Sequence, residues 1–257
     1  MSFVDSIVVQ ALSLETALFH AYARMEANTD EEALHDLRIN LRRLRSLLRP
    51  LRAFDGVALL DAAAAEVGSL TTPARDLEVL AAELVRQGLR QQANARQAIA
   101  RSSYAAIVES STLNQFFARL DAWPSDFREA ERLGQLRRIK QRIAKRLLKQ
   151  VVQLNAALAD PHHDRHELRL LTKSARYATD AYPQLSPISV ETATSLKRVQ
   201  SALGDWHDHF QWCLKSQQEN DLMPLQQHWQ VAAEAALRNA EVELLQLSEL
   251  LGNDVQA

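Results

Sequence analysis

Six side chains at helical spacing carry the clearest chemistry in this sequence: His35, Arg38, Arg42, Arg45, Arg49 and Arg52. At about 100° per residue they fall within an arc of roughly 100° on one helix face. Leu41, Leu44, Leu47, Leu48 and Leu51 take the opposite face, Arg43 adds a further guanidinium, and Asp36 is the one acid among them. Guanidinium groups stacked a turn apart repel one another unless an anion lies along them. Each can fork onto phosphate or carboxylate oxygens. The chemistry suggested is therefore anion binding along a row, with a plain solvated charged face as the alternative.

The pattern occurs twice. An offset of 131 residues carries His35 to His166, Arg38 to Arg169, Arg42 to Lys173 and Arg45 to Arg176, with a leucine before each first arginine. At an offset of 132, Val67 maps to Val199, Ser69 to Ser201 and Arg75-Asp76 to His207-Asp208. A second copy at half the chain length argues for an internal duplication.

A third basic stretch lies between the copies. Arg137 to Lys149 holds seven basic residues and no acid, with Arg138, Arg142, Lys145 and Lys149 aligned at helical spacing and Arg146 on the flank. Lys197 is a further cation downstream. By contrast Ser216 to Ala257 holds seven acids against Arg238 alone, so a net charge of −2 conceals segregated charge. That arrangement permits local anion binding without a global positive field.

The elements that must position these residues read as helices throughout. Six glycines in 257 residues, abundant Ala, Leu, Gln, Glu and Arg, and no alternating Val/Ile runs favour an all-α protein. The apolar spacing predicts helices over residues 3–27, from His35 to a break at Pro50, over 57–70, from Arg75 towards Arg101, and over 102–123. Asp30 is placed to cap the His35 helix. Trp123-Pro124-Ser125-Asp126 is the expected mid-chain boundary, giving half-repeats of about 1–124 and 125–257 within one domain. The second half reads as helices over 129–159, 162–181 and 190–203, a turn at Gly204-Asp205, a helix over 206–218 and a last one from Pro224. Each half then supplies four main segments, enough for a four-helix bundle.

Other chemistries are less well served. Cys213 is the single cysteine, so no internal disulfide or thiolate metal cage is expected. Residues 1–5 lack a basic n-region, and no stretch reads as a membrane span, which makes a cytoplasmic location the expectation. His162, His163 and His166 have i, i+4 spacing for a metal but no convincing third ligand. A phosphotransfer histidine would want smaller neighbours than Leu37 and Arg38. Nucleic acid is the nearest rival partner, although no aromatics are interleaved with the basic residues to stack bases. No nucleophile–base pair and no phosphate-cradling glycine loop is visible, so catalysis is not expected.

The two motifs, His35-x-x-Arg38-x-x-x-Arg42-Arg43-x-Arg45 and His166-x-x-Arg169-x-x-x-Lys173-x-x-Arg176-Tyr177, resemble those of the CHAD family, the conserved histidine α-helical domains. So do the segments ending Arg75-Asp76-Leu77 and Leu203-Gly204-Asp205-Trp206-His207-Asp208, and the resemblance spans nearly the whole chain. It implies two four-helix bundles related by a pseudo-twofold axis. It also implies binding of inorganic polyphosphate by a basic central surface, association with polyphosphate granules, and no cofactor. On that view the binding residues are His35, Arg38, Arg42, Arg43, Arg45, Arg49, Arg138, Arg142, Lys145, Arg146, Lys149, His166, Arg169, Lys173, Arg176 and Lys197. The sequence departs from the family pattern where Ser174 stands for Arg43, Asp180 for Arg49, and Thr71-Thr72-Pro73 for a leucine-glycine turn. The fused triphosphate-tunnel strand of some family members has no match here. Replacing Arg42 and Arg45 by Glu is expected to abolish binding without loss of stability, since both oppose the leucine face. A charge swap at Glu241 and Glu243 is expected to leave binding intact.

Overall fold

The computed structural model describes residues 2–256, and among these every regular element is helical. The order is α1 (Phe3–Glu26), α2 (Ala33–Leu48), α3 (Asp55–Leu70), α4 (Thr72–Arg86), α5 (Arg90–Val108), α6 (Ser111–Arg132), α7 (Ile139–Leu158), α8 (Arg165–Ala181), α9 (Val190–Ser216) and α10 (Gln226–Gln256). Two compact units divide the chain, one over residues 1–139 and one over 140–257.

Local chemistry sets the helix starts. Ser2 and Asp5 form a reciprocal capping box on α1, with the Asp5 amide donating to Ser2 Oγ and the Ser2 amide to Asp5 Oδ2, both at 3.0 Å. Ser110, Asp164 and Ser189 cap α6, α8 and α9 through amides three residues on. Asp30 does not cap α2 as expected. It accepts from the Glu32 amide at 2.9 Å and is gripped by the Arg24 guanidinium, which also reaches Asp36 at 2.7 Å. The Arg24 hydrogen bonds hold the Asp30 carboxyl well below the usual range.

Several boundaries differ from the sequence reading, each for a local reason. The helix expected from Arg75 to Arg101 is a hairpin: α4 ends and Gly88 takes φ +78°, a conformation open to glycine, before α5 returns. Trp123 to Asp126 is no linker but part of α6. Pro124 deprives that helix of one hydrogen bond, while buried Trp123 and Phe127, stacked at 4.6 Å, hold it to the core. The break comes later, at Gly134 with φ +71°, and α7 starts at Ile139, not near Glu129. Gly204-Asp205 makes no turn, because α9 runs through both. Pro50 does end α2, in a single 3₁₀ turn.

In the first unit α2 packs between α1 and α3, α6 covers α1 and α3, and the α4–α5 hairpin meets α3 and α1. Its core is the buried stripe Ile7, Val8, Leu18 and Met25 of α1 against Leu34, Leu37, Leu41, Leu44 and Leu48 of α2. Contrary to the expectation that no stretch reads as a membrane span, α1 is long and apolar enough to cross one by length and composition; its Phe19 stacks on Phe117 at 4.3 Å. In the second unit Val151 and Leu154 of α7, Leu168 and Ala175 of α8, Leu196, Val199 and Leu203 of α9, and Leu244, Leu247 and Leu251 of α10 share one core.

Candidate functional site

With its leucines buried, α2 presents its basic residues on the opposite side: His35, Arg38, Arg42, Arg45 and Arg49 half-buried, Arg43 and Arg52 exposed. The row is not a free comb. Arg38 Nη1 donates to the Gly68 carbonyl at 2.7 Å and to the Thr71 and Thr72 hydroxyls at 2.7 and 3.1 Å. It thereby clasps the α3–α4 junction, which explains why threonines suit a turn where the family pattern has leucine-glycine. Arg42 Nε donates to the Arg38 carbonyl of its own helix at 3.2 Å.

Arg45 has a structural task. Its Nε donates at 3.0 Å to Asp61 Oδ1 on α3, and Arg52 bonds the other oxygen of the same carboxylate. The Asp61 side chain is only 2% exposed. A buried carboxylate needs such partners, because an unpaired one is strongly disfavoured in the interior. This contradicts the expectation that Arg45 can be replaced without cost. Burial holds the Arg38 and Arg49 guanidiniums below their usual range, with repulsion from Arg42 and Arg45 respectively adding to it.

His35 is half-buried, and its Nδ1 is buried without a hydrogen-bond partner. Burial first, then the charge of Arg75, lowers its pKa, so the ring is neutral at neutral pH. Arg75, from α4, is a cation that sequence reasoning left off the site although its match to His207 was visible. It pairs with Glu78 at 2.8 Å, and Tyr104 donates to the same carboxylate. A cleft of about 460 Å³ beside this pair sets Glu31, Glu32 and Glu78 against Arg75, Arg86 and Arg101. Its balanced signs separate it from the row.

The second unit repeats the arrangement with weaker charge. On α8, Leu168, Thr172, Ala175 and Ala178 are buried, while His166 is exposed and Arg169, Lys173 and Arg176 are half-buried. Arg176 donates to the Gln200 side-chain oxygen on α9 and to Asp180 at 3.0 Å, and lies 4.2 Å from the centre of the Tyr177 ring. Asp180, standing where α2 has Arg49, thus occupies a cation instead of adding one.

The His166 ring lies 5.1 Å from the ring of His207 on α9. Burial, and then Arg169, His166 and Lys173, push the His207 pKa down to about 4. Trp206 and Phe210 continue this run of rings, stacked at 5.9 Å, with Phe210 43% exposed. Trp206 and Phe210 thus bring rings towards His207 and His166 from a different helix, where spacing within the α8 segment could not reveal them.

Arg142, Lys145, Arg146 and Lys149 project from α7 and are exposed, as is Lys197 on α9. Arg138 does not belong to that helical face. It precedes α7 in the left-handed region, at φ +58°. The three histidines considered for a metal are not gathered round one site: His163 Nε2 lies 3.4 Å from Glu167. Among the described residues no group of three or more His, Cys, Asp or Glu is arranged to hold a metal ion.

The fold and these rows can be set against known proteins. A crystal structure of the CHAD domain from the plant Ricinus communis superposes with a TM-score of 0.69 at 20% identity, covering 98% of this chain and 92% of that one. No curated protein matches the sequence. The family model of the CHAD domain matches residues 12–213, most of the chain and both histidine–arginine motifs. The chain belongs to the CHAD domain family.

Proposed function

We propose that this protein binds inorganic polyphosphate through the basic rows of α2 and α8 and the exposed basic face of α7, without turning it over. The observation that carries the reading is that one arrangement recurs in both units. In each, a helix buries its apolar side and sets a histidine and three cations on the other; the charge of Arg75 acts on His35, and His207, 132 positions after Arg75, lies with its ring 5.1 Å from that of His166. The helices correspond too. At offsets of 131–132, α1, α2 and the pair α3–α4 answer to α7, α8 and α9, and the long α10 spans the places of α5 and of the first half of α6. The duplication and the two four-helix bundles belong to this reading. So does a cytoplasmic role on polyphosphate granules.

Polyphosphate suits such a surface because it is flexible and carries about one charge per phosphate, so successive helical turns of about 5.4 Å can each take a phosphate. Most of the affinity should come from released counterions and fall with salt, by analogy with nucleic acids. Single-stranded nucleic acid is the second reading, favoured by the Trp206–His207–Phe210 rings beside His166. The test is a pair of charge reversals on exposed positions, Arg43→Glu on α2 and Lys145→Glu with Lys149→Glu on α7. Polyphosphate affinity should drop at least tenfold for each, with helix content unchanged. Unaltered affinity in both variants would remove these surfaces from the site.

A further inference from the structure

Among the positions at which the two units differ, the one nearest each motif histidine on the following helices bears on pH. In the first, the neighbouring charge that acts on the motif histidine is the guanidinium of Arg75. In the second, the corresponding residue is His207, half-buried with its ring against His166. The charged groups that act on His207 stand on α8: Arg169, His166 and Lys173. Burial first, and then the charges of Arg169 and Lys173, keep the ring neutral in the absence of an anion. A phosphate seated on Arg169 and Lys173 would reverse that balance, screening the cations and accepting a hydrogen bond from a protonated ring.

Resting on the polyanion-binding reading above, we propose that His207 is a phosphate-binding residue of the second unit that takes up a proton as the anion arrives. The second unit's row then strengthens in acid, whereas the first unit has a permanent charge at the corresponding position. Atoms balance simply: one proton moves from solvent to a ring nitrogen of His207, and no bond in the phosphate chain is broken. The sign follows from linkage. A group that binds a proton more tightly in the complex than in the free protein makes affinity rise as pH falls, by up to about tenfold per pH unit for one proton. The rise should start near the pKa of the complex and level off near the free value of about 4.

The experiment measures binding of long-chain polyphosphate from pH 8 to pH 5.5 at fixed ionic strength for the wild type, His207→Asn and His207→Arg. Proton uptake is read in parallel by calorimetry in buffers of different ionisation enthalpy. The difference between the three proteins carries the result, since every other titratable group is common to them. The wild type should gain about tenfold in affinity across this range. His207→Asn should lose most of that gain, and His207→Arg should bind as tightly at pH 8 as the wild type does near pH 5.5. Two variants, one neutral and one permanently cationic, keep the test intact if either folds poorly, which circular dichroism would show. Equal pH slopes and equal proton uptake in wild type and His207→Asn would overturn the assignment of His207. Absence of polyphosphate binding at every pH would instead sink the polyanion reading and this inference with it.

Discussion

Arg45 shows how far a residue's type and spacing can mislead about its task. It lies on the arginine stripe, yet its guanidinium neutralises Asp61, whose side chain is 2% exposed. Arg45→Glu should therefore lower the melting temperature sharply, by about 3–5 kcal/mol of stability, the usual cost of breaking a buried ion pair. Arg43→Glu on the exposed flank should stay within about 0.5 kcal/mol of wild type. Thermal unfolding of the two variants checks the contrast. Glu241 and Glu243, expected to be neutral for binding, pair with Arg165 and Arg198, so the exposed Glu234 and Glu249 make a control free of that coupling. His207 adds a pH dependence. With its folded pKa near 4 and an unfolded value near 6.5, the unfolded chain binds more protons between those limits. Stability should thus fall as pH drops from about 7 towards 4. In His207→Asn the melting temperature should change less over that window, while an unchanged slope would remove His207 as a cause.

At the scale of elements, what was legible was periodicity and what was hidden was breakage. The leucines of α2 and the basic stripes of α2 and α8 follow from 3.6-residue spacing alone, and their faces came out as read. Asp61, Thr71 and Thr72, the partners of Arg45 and Arg38, were hidden because they lie on the following segments, and a single helix's pattern holds no information about its neighbours. Glycine and proline marked breaks unreliably, since tertiary packing decides between tolerating them and using them. Gly88 is used: at φ +78° a side chain is strained, so Gly88→Ala should cost about 1 kcal/mol. Gly204 is merely tolerated inside α9, with open space where a Cβ would project. Gly204→Ala should accordingly stabilise by about 0.5–1 kcal/mol. Chemical denaturation of the pair would show opposite signs; the same sign in both would contradict the helix assignment at one of them.

For the molecule as a whole, the proposed anion binding has to coexist with a net charge of −2, and segregation of charge allows it. Basic residues concentrate on α2, α7 and α8, and acids on α10, so an incoming polyanion meets a local rather than a global field. The division at residues 139/140 was not legible, because Pro124 looked like the stronger punctuation than Gly134. The central claim is that this chain is a polyphosphate binder, and competition against single-stranded RNA tests it most directly. Dissociation constants for long-chain polyphosphate and for RNA of equal total charge would be measured at several salt concentrations. The account predicts tighter binding of polyphosphate at every salt, a linear fall of log affinity with log salt for both, and no phosphate released. Equal or tighter binding of RNA, with a weak salt dependence, would contradict it and point to base stacking on Trp206 and Phe210 in place of a row of phosphates.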